Sequence, residues 1–399
     1  MANFERFMSR LKLLPASILA IIIFCCNSAT KETPPVVSPT DDGSKPAITE
    51  ASGKLPLNTI KLPQGFTISI FAEVEDARSM ALSPGGTLFV GNKSGDKVYA
   101  VKDLDGDYKA DKKWVIASGL NMPNGVAFKN GNLYVAEVSR VTKFKDIESK
   151  LNNPGSPEVV YDKFPTESHH GWKYIAFGPD GKLYVPVGAP CNICESKEPI
   201  YASIHRMNED GTGLELFASG VRNTVGFTWH PESKDIWFTD NGRDMMSDDV
   251  PPCELNTASK QGMHFGYPYC HGGMIKDPEF GSKRPCGDFT KPVQNLGAHV
   301  APLGLKFYTG SMFPAQYANQ ILLAEHGSWN RTKKSGYKIS LVKLDGGKAT
   351  SYEPFASGWL DEVAQKAWGR PVDVLMLPDG SMLVSDDMAG IIYRIAYKG

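Results

Sequence analysis

The chain has 399 residues, with 43 Lys and Arg against 44 Asp and Glu, so its formal net charge is −1. This balance argues against a nucleic-acid partner, because proteins that bind nucleic acids carry a basic face. Hydrophobic residues make up 41% of the chain, which is too many for an acidic disordered protein. The 39 Gly and 28 Pro predict many short strands and turns rather than long helices.

The first 26 residues have the features of an export signal. Basic residues precede an apolar run at 13–24, which is shorter than the roughly 20 residues that a membrane-spanning helix needs. Cys25 and Cys26 then follow, and either could be the lipidated cysteine of a bacterial lipobox. Residues 22–24 are larger than the small residues that usually precede that cysteine. Cleavage by an ordinary signal peptidase is therefore an alternative. We expect an exported bacterial protein, either periplasmic or attached to the outer membrane or cell surface only through a lipid anchor.

Residues 27–59 are rich in Ser, Thr, Pro, Lys and Asp and poor in large apolar side chains. Such a segment cannot bury enough surface to order itself, so it predicts a disordered tether. The folded part is expected at 60–399.

One motif occurs six times in this folded part. Each copy is an apolar strand, a turn that contains Gly or Pro-Asp-Gly, and a second apolar strand. The copies lie at residues 80–90, 126–135, 175–185, 226–238, 305–323 and 374–384. Repeated strand units of this kind predict an all-β fold, a six-bladed β-propeller, with unrelated hairpins of a β-sandwich as the alternative.

Two details of the propeller are also predicted. The long interval between the fourth and fifth copies indicates an insertion between blades four and five, from Asn241 to about Gln294. The apolar segment Gly65–Phe71 precedes blade one. It could pair with the last blade and close the ring, which would remove an exposed sheet edge.

Five cysteines lie in the folded part. In an exported protein some of them should form disulfides. Cys191 and Cys194 could form a redox pair, a metal half-site or a structural disulfide, and we favour the last. Cys270 and Cys286 bracket a Gly-rich loop and are predicted to form a second disulfide. Cys253 is then left over.

Asp103, Asp105 and Asp107 stand at alternate positions of one loop, and Asp111 follows four residues later. Alternating carboxylates suit an oxygen-ligated calcium site, although Tyr108 stands where an EF-hand loop needs Gly. A simple acidic turn between strands is the alternative. If calcium binds here, we expect a structural role.

Eight short motifs follow one another along the predicted blades. They are His169–Tyr184, Val221–Asn223, Asp240–Asp244, Pro252–Asn256, Phe265–Cys270, His299–Gly304, His326–Arg331 and Gly369–Val374. In this order they resemble the soluble quinoprotein sugar dehydrogenases, and most closely their L-sorbosone dehydrogenase-like branch, over roughly residues 60–399. The resemblance implies a six-bladed propeller that binds pyrroloquinoline quinone (PQQ) and calcium at the channel mouth. It also implies oxidation of a sugar, sugar aldehyde or polyol, with electrons passing to a soluble or membrane acceptor.

The resemblance also implies roles for particular residues. His170 is the implied general base, which takes the proton of the substrate hydroxyl. The implied cofactor contacts are Arg222, Asn223, His299, Asn330, Arg331 and Arg370, and the implied ligands of the catalytic calcium are the main-chain carbonyls of Gly242 and Arg243. Arginine suits this task, because PQQ is a planar tricarboxylate and the guanidinium fork matches a carboxylate.

Three positions depart from the glucose-oxidising branch. Ala189 stands where that branch has an Asp that orients the catalytic His, Val372 replaces a second Arg, and Cys253 replaces an acidic residue. PQQ binding is therefore better supported than glucose oxidation.

Two other functions stay open on the sequence alone. The first is a calcium-dependent lactonase on a similar propeller, for which Asn124, Asn223 and Asp373 could supply oxygen ligands. The second is a non-catalytic lipoprotein that uses the propeller to bind carbohydrate or protein.

Overall fold

The computed structural model describes residues 55–399. Within them, six antiparallel sheets form the blades of a β-propeller, as the repeated motif predicted. The first strands contact one another closely in five of the six pairs of neighbouring blades, all except blades three and four, as expected for strands that surround a central channel. The predicted export signal with Cys25 and Cys26, and the tether as far as residue 54, lie outside the described residues.

The strands follow the chain order of the blades. Before blade one comes β1 (Phe66–Glu73). Blade one contains β2 (Met80–Leu82), β3 (Leu88–Val90), β4 (Val98–Lys102) and β5 (Lys112–Ala117). Blade two contains β6 (Gly125–Lys129), β7 (Asn132–Ala136), β8 (Val141–Phe144) and β9 (Glu158–Tyr161). Blade three contains β10 (Ala176–Phe177), β11 (Leu183–Val187), β12 (Ser203–Met207) and β13 (Glu215–Ser219).

The second half of the ring is less regular. Blade four and its insertion contain β14 (Phe227–Trp229), β15 (Ile236–Asp240), β16 (Pro252–Ala258), β17 (Met263–His264), β18 (Cys270–His271), β19 (Ile275–Lys276) and β20 (Gln294–Ala298). Blade five contains β21 (Pro302–Phe307), β22 (Ile321–Glu325), β23 (Lys338–Asp345) and β24 (Lys348–Ser357). A small hairpin, β25 (Leu360–Asp361) and β26 (Lys366–Ala367), leads to blade six, with β27 (Pro371–Met376), β28 (Met382–Asp386) and β29 (Ile391–Tyr397).

Helical structure among the described residues is limited to single 3-10 turns at Leu57–Thr59, Ile147–Lys150, Cys286–Asp288 and Ala315–Tyr317. None of residues 55–399 lies in a helix that is both long and apolar enough to cross a bilayer.

The second strand of each blade is buried on both faces, because the sheets of the two neighbouring blades cover it. In β11 and β28 every residue is buried, and the same holds for β3. Hydrophobic residues therefore run continuously through these strands instead of alternating with polar ones. This pattern made the second apolar strand of each repeat easy to recognise in the sequence.

The N-terminal strand closes the ring, as predicted from its position before blade one. It pairs antiparallel with the last strand of the chain, from Phe66 opposite Tyr397 to Glu73 opposite Ile391. The sheet order of blade six is accordingly β1-β29-β28-β27. Residues from both ends of the folded chain thus share one blade, which closes the ring and pairs the last strand of the chain, β29, on both of its sides.

Phe66 secures this closing strand. It is buried and its ring makes edge contacts with four aromatic rings, those of Phe313, Tyr317, Phe355 and Tyr397, at centroid distances of 4.7–5.4 Å. We expect Phe66→Ala to lower the free energy of unfolding by about 3–5 kcal/mol, because it removes buried surface and leaves a cavity. Denaturant unfolding measures this loss. Thr67→Ala, at the next and exposed position, should change the free energy of unfolding by less than about 0.5 kcal/mol. Equal losses in the two variants would contradict the role of Phe66 in holding the closing strand.

The predicted insertion lies inside blade four rather than between blades four and five. The third strand of the blade, Pro252–Ala258, falls within the long interval and pairs with Ile236–Asp240. The added residues come after this strand, and the outer strand Gln294–Ala298 then completes the sheet. Part of the insertion, Met263–His264, pairs parallel with the outer strand of blade three and so links the two blades.

The folded part begins a few residues earlier than expected. Residues 55–59 were assigned to the tether, but Leu55 and Leu57 pack against the hydrophobic core of blades five and six. Lys61 then pairs with Ser357 of blade five in an isolated β-bridge. Two leucines, placed next to an apolar surface, bury enough area to order this short stretch.

Candidate active site

The motif residues converge because of how a blade is built. The first and second strands of each blade are antiparallel, so the start of the first and the end of the second lie at the same end of the propeller. In blade six, for example, Pro371 at the start of β27 lies opposite Asp386 at the end of β28. The motifs with His170, Arg222 and Arg370 each precede a first strand. The topology therefore brings them to one end of the channel.

His170 is buried and its imidazole is oriented by the main chain. Its Nδ1 lies 2.9 Å from the carbonyl oxygen of Ala189. A carbonyl only accepts, so Nδ1 carries the hydrogen and Nε2 is left with a lone pair. A Cβ on Gly188 would come within 2.5 Å of the His170 Cβ, so only glycine fits there. The residue that replaces the Asp of the glucose-oxidising branch thus supplies its backbone instead of a side chain.

The electrostatic surroundings keep His170 neutral. Burial lowers its pKa well below the usual value of 6.5, and the positive charge of Arg222, together with His169 and Lys93, lowers the pKa further. The hydrogen bond with Ala189 raises the pKa but does not offset these effects. A neutral imidazole with a free Nε2 is the form that a general base needs.

This environment predicts how His170 titrates. In the cofactor-free protein, its ring Cε1–H resonance should show no inflection between pH 6 and 8, because the imidazole gains its proton only at lower pH. NMR spectroscopy of the wild-type protein measures this, and the His170→Gln variant identifies the resonance by its disappearance. An inflection near pH 6.5 would contradict the described burial and charges.

Arg222 is fixed by a dense set of hydrogen bonds. Its Nε donates to the Asn192 carbonyl at 2.8 Å, and one terminal nitrogen donates to the Asn192 side chain at 2.9 Å and to Asp244 at 3.1 Å. The other terminal nitrogen donates to the Asn241 carbonyl at 3.2 Å. Only one of these partners is a carboxylate, so the guanidinium is held in place with its charge partly balanced.

Asn223 follows in the same turn. The main-chain N–H groups of Arg222 and Asn223 both donate to the carboxylate of Asp240, at 2.9 and 2.7 Å. A Cβ on Gly188 would lie 3.1 Å from the side-chain oxygen of Asn223 and would also collide with His170. Asn223 and His170 are therefore neighbours across this glycine.

Arg370 reaches the same end of the channel from blade six. Its Nε donates to the carbonyl of His326 at 3.0 Å, and a terminal nitrogen donates to the carbonyl of Gly327 at 2.8 Å. Its guanidinium carbon lies 5.5 Å from the centre of the Tyr337 ring. Main-chain carbonyls orient this guanidinium, so its positive charge is not cancelled by them.

A His–Asp pair lies beside Arg370 and was not predicted. His326 Nε2 is 2.8 Å from Asp387, which in turn accepts from Arg78 of blade one at 2.8 Å. Burial and the charge of Arg370 lower the pKa of His326 to about 3. Burial raises the pKa of Asp387, but His326 and Arg78 outweigh it and lower the pKa overall. The His326–Asp387 pair therefore joins blades five, six and one.

One stretch of chain connects the two guanidinium groups. Its first residues, His326 and Gly327, bind Arg370 through their carbonyls. Four residues along, Asn330 donates to Asp244 at 2.9 Å, and Asp244 is the carboxylate that binds Arg222. Residues 326–330 thus link Arg370 at one end to Arg222 at the other.

An apolar floor is formed largely by residues that lie two positions after His170, Asn223 and Arg370 in the chain. Val225, Leu303 and Val372 form a buried cluster against which Trp172 packs. Val372 stands where the glucose-oxidising branch has a second Arg, so that charge is replaced by hydrophobic packing. The Lys93 ammonium lies 4.1 Å from the Trp172 ring centre, and the indole N–H of Trp172 is buried without a hydrogen-bond partner among the described residues. We call this floor, with the walls formed by His170, Arg222, Asn223 and Arg370, the basin.

Gly242 and Arg243, the predicted main-chain calcium ligands, follow β15 beside Arg222. Gly242 lines a cavity of about 10 Å³, roughly one water molecule, together with Arg222 and the carboxylates of Asp240 and Glu254. These two carboxylates face each other on neighbouring strands. Burial raises the pKa of Asp240 to about 6, and burial with the charge of Asp240 raises the pKa of Glu254 to about 7.

The side chain of Arg243 turns away from this cavity. It donates to Asp277 at 2.6 Å and to Glu279 at 3.1 Å, both in the insertion. Its side chain therefore anchors the insertion, which leaves only its main chain for the predicted calcium role. The wall of the cavity is rich in oxygen atoms, the ligand type that calcium prefers.

Three of the predicted cofactor contacts have partners in one loop of the protein, and their role toward the cofactor stays a prediction. His299 Nε2 lies 2.7 Å from the Ser247 carbonyl, Arg331 donates to the Asp248 carbonyl at 2.9 Å, and Asn330 binds Asp244. All three residues come from blade five, and all three partners lie in the loop between β15 and β16. Their side chains hold this loop against blade five.

Both predicted disulfides form, between Cys191 and Cys194 and between Cys270 and Cys286, with Cα–Cα distances of 6.1 and 5.4 Å. The first encloses Asn192, the residue that grips Arg222 through its main chain and side chain. It therefore restrains one support of the basin. Cys253 is buried and free.

The aspartate loop lies between β4 and β5 of blade one, away from the basin. Carboxylate oxygens of Asp103, Asp105 and Asp111 come within 4.8 Å of one another, whereas Asp107 is outside this group. Asp103 already accepts the main-chain N–H groups of Gly106 and Tyr108, at 2.7 and 2.9 Å. This geometry suits an acidic turn, and calcium binding here stays a prediction.

A family model matches this chain from residue 60 to residue 398, and its description is TrAA12-like. The chain belongs to the TrAA12-like family. The match spans the whole propeller. The resemblance to quinoprotein sugar dehydrogenases that the motifs indicated is thereby confirmed at the level of family and fold.

Three relatives of this TrAA12-like chain illustrate the family. An uncharacterized protein of Borreliella burgdorferi is 34% identical over 86% of this chain and 92% of its own length. The pyrroloquinoline quinone-dependent pyranose dehydrogenase of Coprinopsis cinerea is 30% identical over 26% of this chain and 16% of its own length. The holo structure of its PQQ domain covers 84% of this chain and 97% of that domain at 17% identity, with a TM-score of 0.73.

The third relative is the family AA12 carbohydrate-active enzyme of Trichoderma reesei. Its structure covers 85% of this chain and 97% of its own, at 20% identity and a TM-score of 0.74. At this identity the likeness establishes the TrAA12-like fold alone.

Proposed function

We propose that this protein is a PQQ- and calcium-dependent oxidoreductase that oxidises a sugar, sugar aldehyde or polyol. The observation that carries the proposal is the basin, where a neutral imidazole with a free Nε2 lies among oriented guanidinium groups. The named activity of the Coprinopsis cinerea relative supports it.

The residues of the basin fit PQQ. A planar tricarboxylate needs fixed cations around an apolar floor. The charges of Arg222 and Lys93 act on His170, Lys93 lies over the Trp172 ring, and Arg370 comes two residues before Val372 of the floor. The buried, unpaired indole N–H of Trp172 is a further donor that lacks an acceptor in the described residues. Arg222 with Asn223 would hold the cofactor on one side and Arg370 on the other. The carbonyls of Gly242 and Arg243 would hold the calcium ion.

The chemistry divides between the cofactor and the protein. When bound, PQQ supplies a quinone that accepts a hydride, and calcium acts as a Lewis acid on it. The substrate carbon loses this hydride while its hydroxyl group loses a proton, so two electrons leave the substrate. His170 Nε2 accepts the proton, while the bond from Nδ1 to Ala189 keeps the ring in position. The electrons then pass to a soluble or membrane acceptor.

We also propose export to the periplasm or cell surface, by way of the signal segment at 1–26 and a lipid on Cys25 or Cys26. The two disulfides support this proposal, because disulfides persist in oxidising compartments.

The lactonase alternative has less support. Asn124 accepts from Arg78 at 2.9 Å and donates to the Lys173 carbonyl at 2.8 Å. Asp373 accepts the main-chain N–H of Met80 at 2.9 Å. These side chains link blades to one another instead of pointing oxygens at a common ion.

Reconstitution tests the proposed function. The purified protein is incubated with PQQ and calcium chloride, and reduction of dichlorophenolindophenol is followed with D-glucose, D-galactose, D-xylose, D-sorbitol and glyceraldehyde as substrates. We expect reduction with at least one of them, and loss of it after EDTA treatment. Saturable PQQ binding with no turnover of any substrate would favour the non-catalytic binding protein.

A further inference from the structure

Trp329 is exposed on the stretch of chain that links Arg370 to Arg222. Its side chain is 63% exposed, whereas the preceding residue, Ser328, is almost fully buried. An isolated exposed hydrophobic residue is ordinary on a protein surface and needs no explanation. The position of Trp329 and the way its backbone is held are what set it apart.

Hydrogen bonds fix the backbone on both sides of Trp329. The main-chain N–H of Ser328 donates to the Ser335 carbonyl at 2.9 Å, and the Tyr337 hydroxyl donates to the Ser328 carbonyl at 2.7 Å. On the other side, the Asn330 side chain donates to Asp244 at 2.9 Å. A ligand that contacts this indole would therefore lose little affinity to ordering of the loop.

Trp329 lies on the stretch of chain that joins the two guanidinium groups. Gly327 binds Arg370, and Asn330 reaches Arg222 through Asp244. Met245, the residue after Asp244, is also exposed, at 64%. The two exposed side chains thus adjoin the two partners of a single hydrogen bond, and one of these partners, Asp244, binds Arg222.

We propose that Trp329, flanked by Met245, is a stacking platform for the ring of a cyclic sugar substrate. The electron-rich face of an indole attracts the slightly positive C–H groups on one face of a pyranose ring, and the thioether of Met245 adds an apolar edge. An open-chain polyol has no flat C–H face to offer. The inference rests on the proposed function, since it names the class of substrate that the same basin accepts.

The test compares steady-state kinetics of protein loaded with PQQ and calcium. The probe is whichever of D-glucose, D-galactose, D-xylose and D-sorbitol the wild-type protein oxidises fastest, which we expect to be a pyranose. Trp329→Ala should raise KM about tenfold, with kcat and the Kd for PQQ within about twofold of wild type. Trp329→Phe keeps an aromatic face and should raise KM less than about threefold.

Two methionine variants provide a matched control. Met245→Ala should raise KM about two- to threefold. Met274→Ala removes a similarly exposed methionine, 72% exposed, from the insertion, and should leave KM unchanged. A higher KM for the electron acceptor with an unchanged KM for the sugar would overturn the inference and assign Trp329 to acceptor docking. Fastest turnover of D-sorbitol would also overturn it.

Failure of the platform and failure of the proposed function give different results. A wild-type protein that binds no PQQ contradicts the proposed function and, with it, the platform. A protein that binds PQQ and oxidises a sugar with the same KM in the wild-type and Trp329→Ala forms contradicts only the platform.

Discussion

Replacing His170 with Ala is expected to lower kcat by about 100- to 10,000-fold while leaving the Kd for PQQ within about threefold of wild type. The expectation follows from the imidazole geometry, since Nδ1 is committed to the Ala189 carbonyl and Nε2 remains to accept a proton. Dye-coupled turnover measures kcat, and fluorescence titration measures PQQ binding.

The control for this variant is His230→Gln. His230 lies in the turn between β14 and β15, which is at the opposite end of the propeller from the basin. It should leave both quantities unchanged. If His170→Ala kept more than about a tenth of the wild-type kcat, another group would be the base. His326, with its aspartate partner, would be the first to examine.

Replacing Arg370 with Ala should weaken PQQ binding by about 10- to 100-fold, because a charged hydrogen-bond partner of a cofactor carboxylate is lost. Arg370→Lys keeps the charge but lacks the planar fork, so we expect it to recover part of the affinity. Calorimetric titration of PQQ gives the Kd of each variant.

Arg370 also donates to the carbonyls of His326 and Gly327, so its removal could disturb the wall of the basin. Circular dichroism and the unfolding temperature check this. Arg284→Ala, in the insertion beside Asp288, removes a half-exposed arginine and serves as the matched control. A folded Arg370→Ala protein that binds PQQ as tightly as the control would contradict the assignment of Arg370 to the cofactor.

The propeller could be predicted because the strands and the turn of each repeated hairpin lie close together in the sequence. Five of the six hairpins carry two apolar strands and a turn within 10 to 13 residues, and the fifth does so within 19. Burial of both faces of the second strand makes it continuously apolar. The closing strand could be predicted for the same reason, since an apolar strand before blade one needs a partner. The position of the insertion could not, because the repeated motif marks only the first two strands of a blade, and the third strand of blade four, Pro252–Ala258, lies in the long interval between two copies.

Parts of the basin were beyond prediction because they depend on the backbone or on contacts between blades. The group that orients His170 is a carbonyl, and every residue has one, so the identity of Ala189 gave no signal. The pairing of His326 with Asp387 joins blades five and six, although His326 begins a motif that had been singled out. Asn192 lies between Cys191 and Cys194, and its contact with Arg222 depends on how the disulfide loop folds against blade four.

The residues expected to bind the cofactor from blade five illustrate the same limit. His299 and Arg331 occupy polar positions in recognisable motifs, yet their partners lie at 247–249, in a loop whose course depends on tertiary packing. Sequence position brings such residues to the correct end of the propeller. Which of them face the basin depends on loops from the neighbouring blade.

The most direct test of the account is calorimetric titration of PQQ into the wild-type protein, with calcium present and again after EDTA treatment. The basin predicts saturable binding of one PQQ per chain in calcium, and weaker binding once calcium is removed. Absence of saturable binding with calcium present would contradict the central claim that Arg222, Arg370 and His170 surround a site for this cofactor.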